Sequence, residues 1–277
     1  MANWLITGVG SGLGRALAKA ALDRGDAVAG TARRADEVAA FEALAPGRAK
    51  GFHLDMADVG AVGRVGGEAE EVLGGVDILV NNAGYGLVGA IEEASASEIR
   101  AQFEVNVFGP LALIQAVLPG MRLRRAGRII NVTSVSGVAT WAGTGVYCAS
   151  KFALEGAALT LADEVEPLGI KVTNIEPGGM RTDYSGRSLR QAARTVDDYA
   201  SVAHAARRIL ADHAGHEPGD PAKVAAAILR VVDADNPPRQ LLLGADAILY
   251  ATRHMARFQA ELGAWAPLSL STGFDEA

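Results

Sequence analysis

Tyr147 and Lys151 stand four residues apart in the run Tyr147-Cys148-Ala149-Ser150-Lys151, a spacing that puts both on one face of a helix. The following FALEGAALTLADEVE, rich in Ala, Leu and Glu, extends that helix. A free tyrosine, with a pKa of about 10, is a poor base at neutral pH. A lysine ammonium nearby favours the phenolate and draws the pKa down. Such a pair is a general acid/base, able to give or take a proton at an alcohol or carbonyl oxygen. The same spacing also arises by chance on an amphipathic helix, so its weight depends on the rest of the chain.

The elements that must hold this pair begin at the N-terminus. Asn3 to Thr7 is a short apolar run closed by glycine and reads as a buried strand. Gly8-Val9-Gly10-Ser11-Gly12-Leu13-Gly14 follows, then RALAKAALDRG, a helix stopped by Gly25. Strand, glycine-rich turn and helix form the setting of a phosphate-binding turn. The glycines let the backbone approach a pyrophosphate, and the helix N-terminus offers free N–H groups and the positive end of its dipole. A merely tight strand-to-helix turn is the alternative, but three spaced glycines with these flanks go beyond a lone motif. Ala27 to Ala32 is a second strand. Where a dinucleotide fold places an acid for the ribose 2′-OH, this chain has Thr31-Ala32-Arg33-Arg34, and arginines there suit a 2′-phosphate.

Gly51 to Leu54 is a third strand, closed by Asp55, which either caps the next segment or hydrogen-bonds an adenine amino group. Val76 to Val80 is a fourth, ending in Asn81-Asn82-Ala83-Gly84. A helix begins near Ser97, capped by Ser95 or Ser97, and stays apolar through Phe103, Val107, Leu111 and Ile114. Asn106 falls inside it, where an asparagine ordinarily faces solvent. Arg128 to Thr133 is a fifth strand, ending at Ser134, and the loop SGVATWAGTG leads to Tyr147. Ile170 to Ile175 is a sixth, followed by Glu176-Pro177-Gly178-Gly179-Met180-Arg181-Thr182. Val224 to Val232 is a helix ahead of Pro237-Pro238, Gln240 to Leu243 a last strand, and Asp246 opens a helix to about Leu262. Strands alternating with helices imply a parallel sheet. The expected fold is α/β, a doubly wound Rossmann fold with about seven parallel strands and helices on both faces, in one domain over residues 1–277.

Composition narrows the function classes. Hydrophobic residues make up 49% and charged residues 21%, enough for a sizeable core. The 33 glycines exceed the usual share of about 7%, so many turns need close backbone approach or positive φ. A net charge of −6 argues against a nucleic-acid partner. Cys148 is the one cysteine, so no intrachain disulfide forms. No signal-peptide pattern and no run of about 18 apolar residues is present, so the expectation is a soluble, cytoplasmic protein without a membrane partner.

Several stretches together resemble one family. Thr7-Gly8 with Gly12 and Gly14 matches a TGxxxGxG turn, Asn81 to Gly84 an NNAG motif, and Pro177-Gly178 with Thr182 a PG…T loop. Asn106, Ser134, Tyr147 and Lys151 match a catalytic tetrad. These motifs, in order from about residue 3 to 182, resemble the short-chain dehydrogenase/reductase family in its single-domain Rossmann branch. The resemblance implies hydride transfer between NADP(H) and a small-molecule carbonyl or secondary alcohol. It implies that Tyr147 gives or takes the proton and that Lys151 binds the nicotinamide ribose and lowers the tyrosine pKa. Ser134, with Ser136 as rival, holds the substrate oxygen, and Asn106 keeps its helix open to a water of the proton relay. The cofactor residues implied are Thr7, Gly8, Gly10, Ser11, Gly12, Leu13, Gly14, Arg33, Asp55, Met56, Asn82, Ala83, Gly84, Tyr147, Lys151, Pro177, Gly178 and Thr182. Alternatives are an NAD-linked alcohol dehydrogenase of the same fold, or a dinucleotide-binding sensor or scaffold without turnover.

Ser134, Trp141, Tyr147, Met180 and Tyr184 are candidates for the substrate pocket, with Tyr85, Leu87 and Val88 nearby. They suit an apolar or aromatic ketone, although Trp141 serves equally well as a packing residue. The segment 183–220 is polar, helical in pattern and covered by none of the motifs, and it reads as a mobile lid that closes on substrate. Its His213 and His216 have a helical metal-ligand spacing, but no cysteine or third histidine stands near, and no metal site is expected. Ala153, Gly156, Ala157 and Ala158 let a second helix approach closely. With the pairing habit of the family, they point to a homodimer or homotetramer.

Overall fold

The computed structural model describes residues 1–182 and 188–274. The first half is a run of strand–helix units. β1 (Asn3–Thr7) leads to α1 (Gly12–Asp23), β2 (Ala27–Ala32) to α2 (Ala35–Glu42), and β3 (Ala49–His53) to α3 (Val59–Leu73). β4 (Ile78–Asn81) and the short β5 (Gly86–Val88) are followed by α4 (Ala96–Phe103), a π-helical turn over Glu104–Phe108, and α5 (Gly109–Arg124). Next come β6 (Gly127–Val132), α6 (Gly145–Val165), β7 (Ile170–Pro177), β8 (Leu189–Gln191) and α7 (Ala203–Asp212). The chain ends with α8 (Pro221–Asp233), β9 (Gln240–Leu243) and α9 (Ala245–Leu270).

Seven strands form one parallel sheet in the order β3-β2-β1-β4-β6-β7-β9. Strands buried on both sides need two apolar layers, and the sequence supplies both. Leu13, Leu17, Phe41, Val224 and Ile228 cover one face, with Trp4, Ile6 and Val28 of the sheet. Val62, Leu113, Val117, Ala158 and Ala162 cover the other, with Leu5, Leu79 and Ile129. The fold is thus the expected doubly wound Rossmann type. The order reverses between β1 and β4, which opens a crevice at their C-terminal ends.

Several boundaries differ from expectation for local reasons. β3 starts two residues early, paired with β2 from Val28↔Ala49. Asp58, not Asp55, caps α3 by accepting from Ala61 N–H at 2.9 Å. Ser95 caps α4 in a reciprocal capping box with Glu98. The helix over Asn106 is interrupted by the π turn. α9 continues eight residues beyond Leu262, running through Gly263 and Pro267. Ala96–Arg124 is, by length and composition, long and apolar enough to cross a membrane, although the sequence shows no unbroken apolar run there. In this fold Val107, Leu113, Ile114, Val117 and Met121 turn its inner side into the core.

The segment after β7 is tied down at many points. β8 pairs in parallel with β5, a second small sheet absent from the sequence expectation. Glu93 accepts from Ala90 N–H and Val196 N–H, each at 2.7 Å, and lies 2.7 Å from His204 Nε2. Those bonds, the one from His204 foremost, hold its carboxyl far below the usual range, at about 2.

Candidate active site

The crevice is lined first by the turn after β1. Ser11 precedes α1 without using its side chain as a cap, so the first-turn N–H groups are left for another acceptor. Gly8 and Gly12 have φ of +77° and +55°, the left-handed region that favours glycine. A side chain at residue 14 would place its Cβ 2.2 Å from Gly8 O and 2.4 Å from Asn82 Nδ2. A Cβ at Gly12 would lie 3.5 Å from Thr182 Cβ, so the PG…T loop closes over the turn. An uncapped helix N-terminus, bare backbone and a covering loop fit a dinucleotide pyrophosphate.

Thr7 and Asn82 have structural work here. Thr7 is fully buried, and its hydroxyl accepts from Asn82 N–H and Ala83 N–H, both at 2.9 Å. Asn82 Nδ2 donates back to Thr7 O at 2.8 Å. Together they staple the ends of β1 and β4, which shapes the crevice. Their side-chain polar groups are largely spent on that staple. Met56 likewise turns into the core, against Gly109. Asp55 accepts from Ala57 N–H at 3.0 Å and stays exposed.

At the end of β2, Arg33 is exposed, whereas Arg34 forms a two-pronged ion pair with Asp36. Glu37, which the sequence reading passed over, reaches the glycine turn. Its Oε2 lies 2.7 Å from where a Cβ on Gly10 would be.

The four candidate residues come from three elements, and Asn106, Tyr147 and Lys151 stand close together. Lys151 is buried on α6, and its Nζ donates to Val132 O at 2.9 Å and lies 5.9 Å from the Tyr147 ring centroid. Burial brings its pKa down to about 8, with Glu155 pulling the other way. Asn106 is 1% exposed, not solvent-facing. Its Nδ2 donates to Tyr85 O at 3.0 Å and Ser150 Oγ at 3.1 Å, and its Oδ1 accepts from Tyr85 N–H at 3.2 Å. The π turn supplies the register that swings this amide inward. A Cβ on Gly84 would lie 3.1 Å from Asn106 Oδ1 and 3.6 Å from Lys151 Nζ. Ser134 follows β6 and its Oγ accepts from Ser136 N–H at 3.0 Å. Ser136 is buried, Ser134 half-buried, and that difference separates the two serines.

Residues 2–193 match the family described as short chain dehydrogenase. The chain belongs to this family. It is 35% identical over 270 residues to the oxidoreductase BOA17 of Botryotinia fuckeliana (strain B05.10), spanning 97% of this chain and 98% of that one. A crystal structure of a short-chain dehydrogenase from Streptomyces avermitilis superimposes with a TM-score of 0.93 at 41% identity, covering 99% and 100% of the two chains. The closed form of a serine dehydrogenase complexed with NADP+ superimposes with a TM-score of 0.75 at 25% identity, over 87% of this chain and 94% of that one.

In this short-chain dehydrogenase three further residues, without a sequence motif of their own, support the site. Ser150, fully buried, donates to Tyr147 O at 2.7 Å and links it to Asn106. Gln102 donates to Tyr85 O at 2.8 Å beside Asn106. Asp246 accepts from Gly179 N–H at 2.8 Å and anchors the PG…T loop to α9. A Cβ on Gly178 would be 2.3 Å from that carboxylate. Of the pocket candidates, Trp141 packs edge-on against Tyr250 of α9, with ring centroids 5.3 Å apart. Met180 packs on the core and bridges to Gly219. Tyr184 lies outside the described residues. His213 Nδ1 stands 2.8 Å from Ile209 O of its own helix, and both His213 and His216 are exposed.

Proposed function

We propose that this short-chain dehydrogenase interconverts a ketone or aldehyde and an alcohol with NADP(H), using Tyr147 as general acid/base. The observation that carries this reading is Lys151, a buried ammonium 5.9 Å from the Tyr147 ring, set beside a turn that fits a pyrophosphate. A cation in that position favours the phenolate over the phenol. When bound, the nicotinamide supplies or accepts the hydride. Tyr147 passes the proton to or from the substrate oxygen, and Ser134 donates a hydrogen bond to the negative charge that develops there. Asn106 and Ser150 hold the backbone on which Tyr147 and Tyr85 sit.

Tyr147→Phe keeps the ring and removes the proton. Turnover on a panel of carbonyl compounds should fall roughly 10²–10⁴-fold, with cofactor affinity little changed. Near-normal turnover would overturn the role of Tyr147. A protein that binds dinucleotide but turns over nothing on that panel would be a sensor or scaffold.

For the cofactor, Ala32 stands where an acid would repel a 2′-phosphate, and Arg33 offers a planar pair of donors. One such partly exposed contact is worth about 1.5–3 kcal/mol, a roughly ten- to hundredfold preference for NADPH in kcat/KM. The nearby Glu37 carboxylate opposes this, so Glu37→Gln should widen the preference and Arg33→Ala should erase it. Equal or better use of NADH by the unaltered protein would refute the assignment.

A further inference from the structure

Behind Lys151 lies an acidic pair that none of the roles above uses. Glu155, one helical turn after Lys151 on α6, is 4% exposed, and Glu176 on β7 is 1% exposed. Two buried carboxylates side by side cannot both ionise cheaply, so their donors decide which keeps a proton. Asn174 Nδ2 donates to Glu155 Oε1 at 2.6 Å. Gln240 Nε2 spans the pair, donating to Glu155 Oε1 at 3.1 Å and Glu176 Oε1 at 3.0 Å. Among the described residues Glu155 Oε2 is buried without a partner, and Gln240 Nε2, bound to Oε1 of both acids, holds the two carboxyls beside each other. A proton on Glu176 removes the repulsion between the two carboxylates.

The donors behind Glu155 form a row. Asn81, Asn131, Asn174 and Gln240 are register neighbours across β4, β6, β7 and β9. Asn81 Nδ2 donates to Asn131 Oδ1 at 2.9 Å, and Asn131 Nδ2 to Asn174 Oδ1 at 3.2 Å. A carboxylate at the end of the row demands an N–H from Asn174, and that choice orients the other amides. Aligned amides polarise one another and strengthen the last bond. The row therefore favours charge on Glu155, while Glu176 receives one shared donor.

We propose that Glu155 is the ionised member of this pair and a positioning residue for the proton on Lys151, its charge holding Lys151 as the ammonium that the Tyr147 chemistry requires. Among the described residues, the charged groups facing Glu155 are Lys151 on its own helix and Glu176 on β7. Arg239, beside Gln240 on β9, is turned away to Asp163 and Glu166. Glu155 Oε2 sits beneath the turn after Ser134, 3.4 Å from where a Cβ on Gly137 would be. Burial pulls Lys151 down to about 8 with Glu155 opposing it, and burial followed by the charge of Glu155 pushes Glu176 up to about 8.

The catalytic half of this inference rests on the Tyr147–Lys151 reading, so the test has two readouts. Lys151 is titrated directly, by the NMR shift of its Cε in the unliganded protein, and kcat/KM is followed against pH. In Glu155→Gln the Lys151 titration should move about one pH unit lower, and the matching limb of kcat/KM should move with it. Glu155→Asp should restore most of the shift. Glu176→Gln, which imitates the protonated acid, should leave the Lys151 titration in place. An unmoved Lys151 in Glu155→Gln overturns the proposal. A Lys151 that moves in Glu176→Gln overturns it too, even if Glu155→Gln fails to fold. If Lys151 moves but the kcat/KM limb does not, the Tyr147–Lys151 chemistry fails and the catalytic half of the proposal with it.

Discussion

Glu176→Gln tests the buried acid pair through stability alone. The sign follows from which state holds the proton. The unfolded chain releases it near pH 4.5, whereas the folded protein keeps it to about 8, chiefly because burial disfavours the charge. Between those values the folded state binds more protons than the unfolded state, so stability falls as pH rises, by about 1.4 kcal/mol per unit. From pH 4.5 to 7 is 2.5 units, an upper limit of about 3 kcal/mol. Glutamine does not titrate and has nearly the same volume. Its stability advantage over the unaltered protein should therefore be small at pH 5, grow through pH 6 and 7, and level off above about 8. Urea unfolding at four pH values measures this directly. A difference that stays constant across that range would show that Glu176 is not held protonated, because packing changes carry no such pH dependence.

Gly14→Ala should cost about 1–3 kcal/mol and weaken cofactor binding more than tenfold, because its Cβ would meet Gly8 O at 2.2 Å; unchanged cofactor titration would refute the cradle. Glu93→Gln should speed backbone exchange at Ala192 and Val196 without touching the seven-stranded sheet. The unaltered protein should loosen there as pH falls from about 4.5 toward 2, where the Glu93 carboxylate takes up its proton. Equal protection of both regions at low pH would count against that latch. The outer side of α6, with Gly156 open and Phe152 39% exposed, is the expected meeting face of a homodimer or homotetramer. Light scattering at micromolar concentration should show the oligomer, and a monomer would refute it.

The parts of the site written as local chemistry were legible in the chain. β1 and β2 fall where the apolar runs place them, because a strand buried on both sides needs an unbroken apolar segment and little else; β9, half-buried at the sheet edge, also falls on its apolar run. The glycine turn and the Tyr147–Lys151 spacing are equally local, since backbone freedom and helical period are properties of neighbouring residues. Arg33, Asp55 and Met56 lie after strands β2 and β3, where side-chain orientation depends on what packs there. Met56 turned to Gly109, and Arg34 was taken up by Asp36. Asn106 shows the limit best. Its sequence context reads as an ordinary helix, yet a π turn and contacts to Tyr85 and Ser150 pull it inward. The acid pair was invisible for the same reason. Glu155 and Glu176 lie on different elements, and only the parallel register of β4, β6, β7 and β9 lines up Asn81, Asn131, Asn174 and Gln240 behind them. Periodicity along one segment determines which face a residue takes; which charges share that face is decided when distant strands come into register.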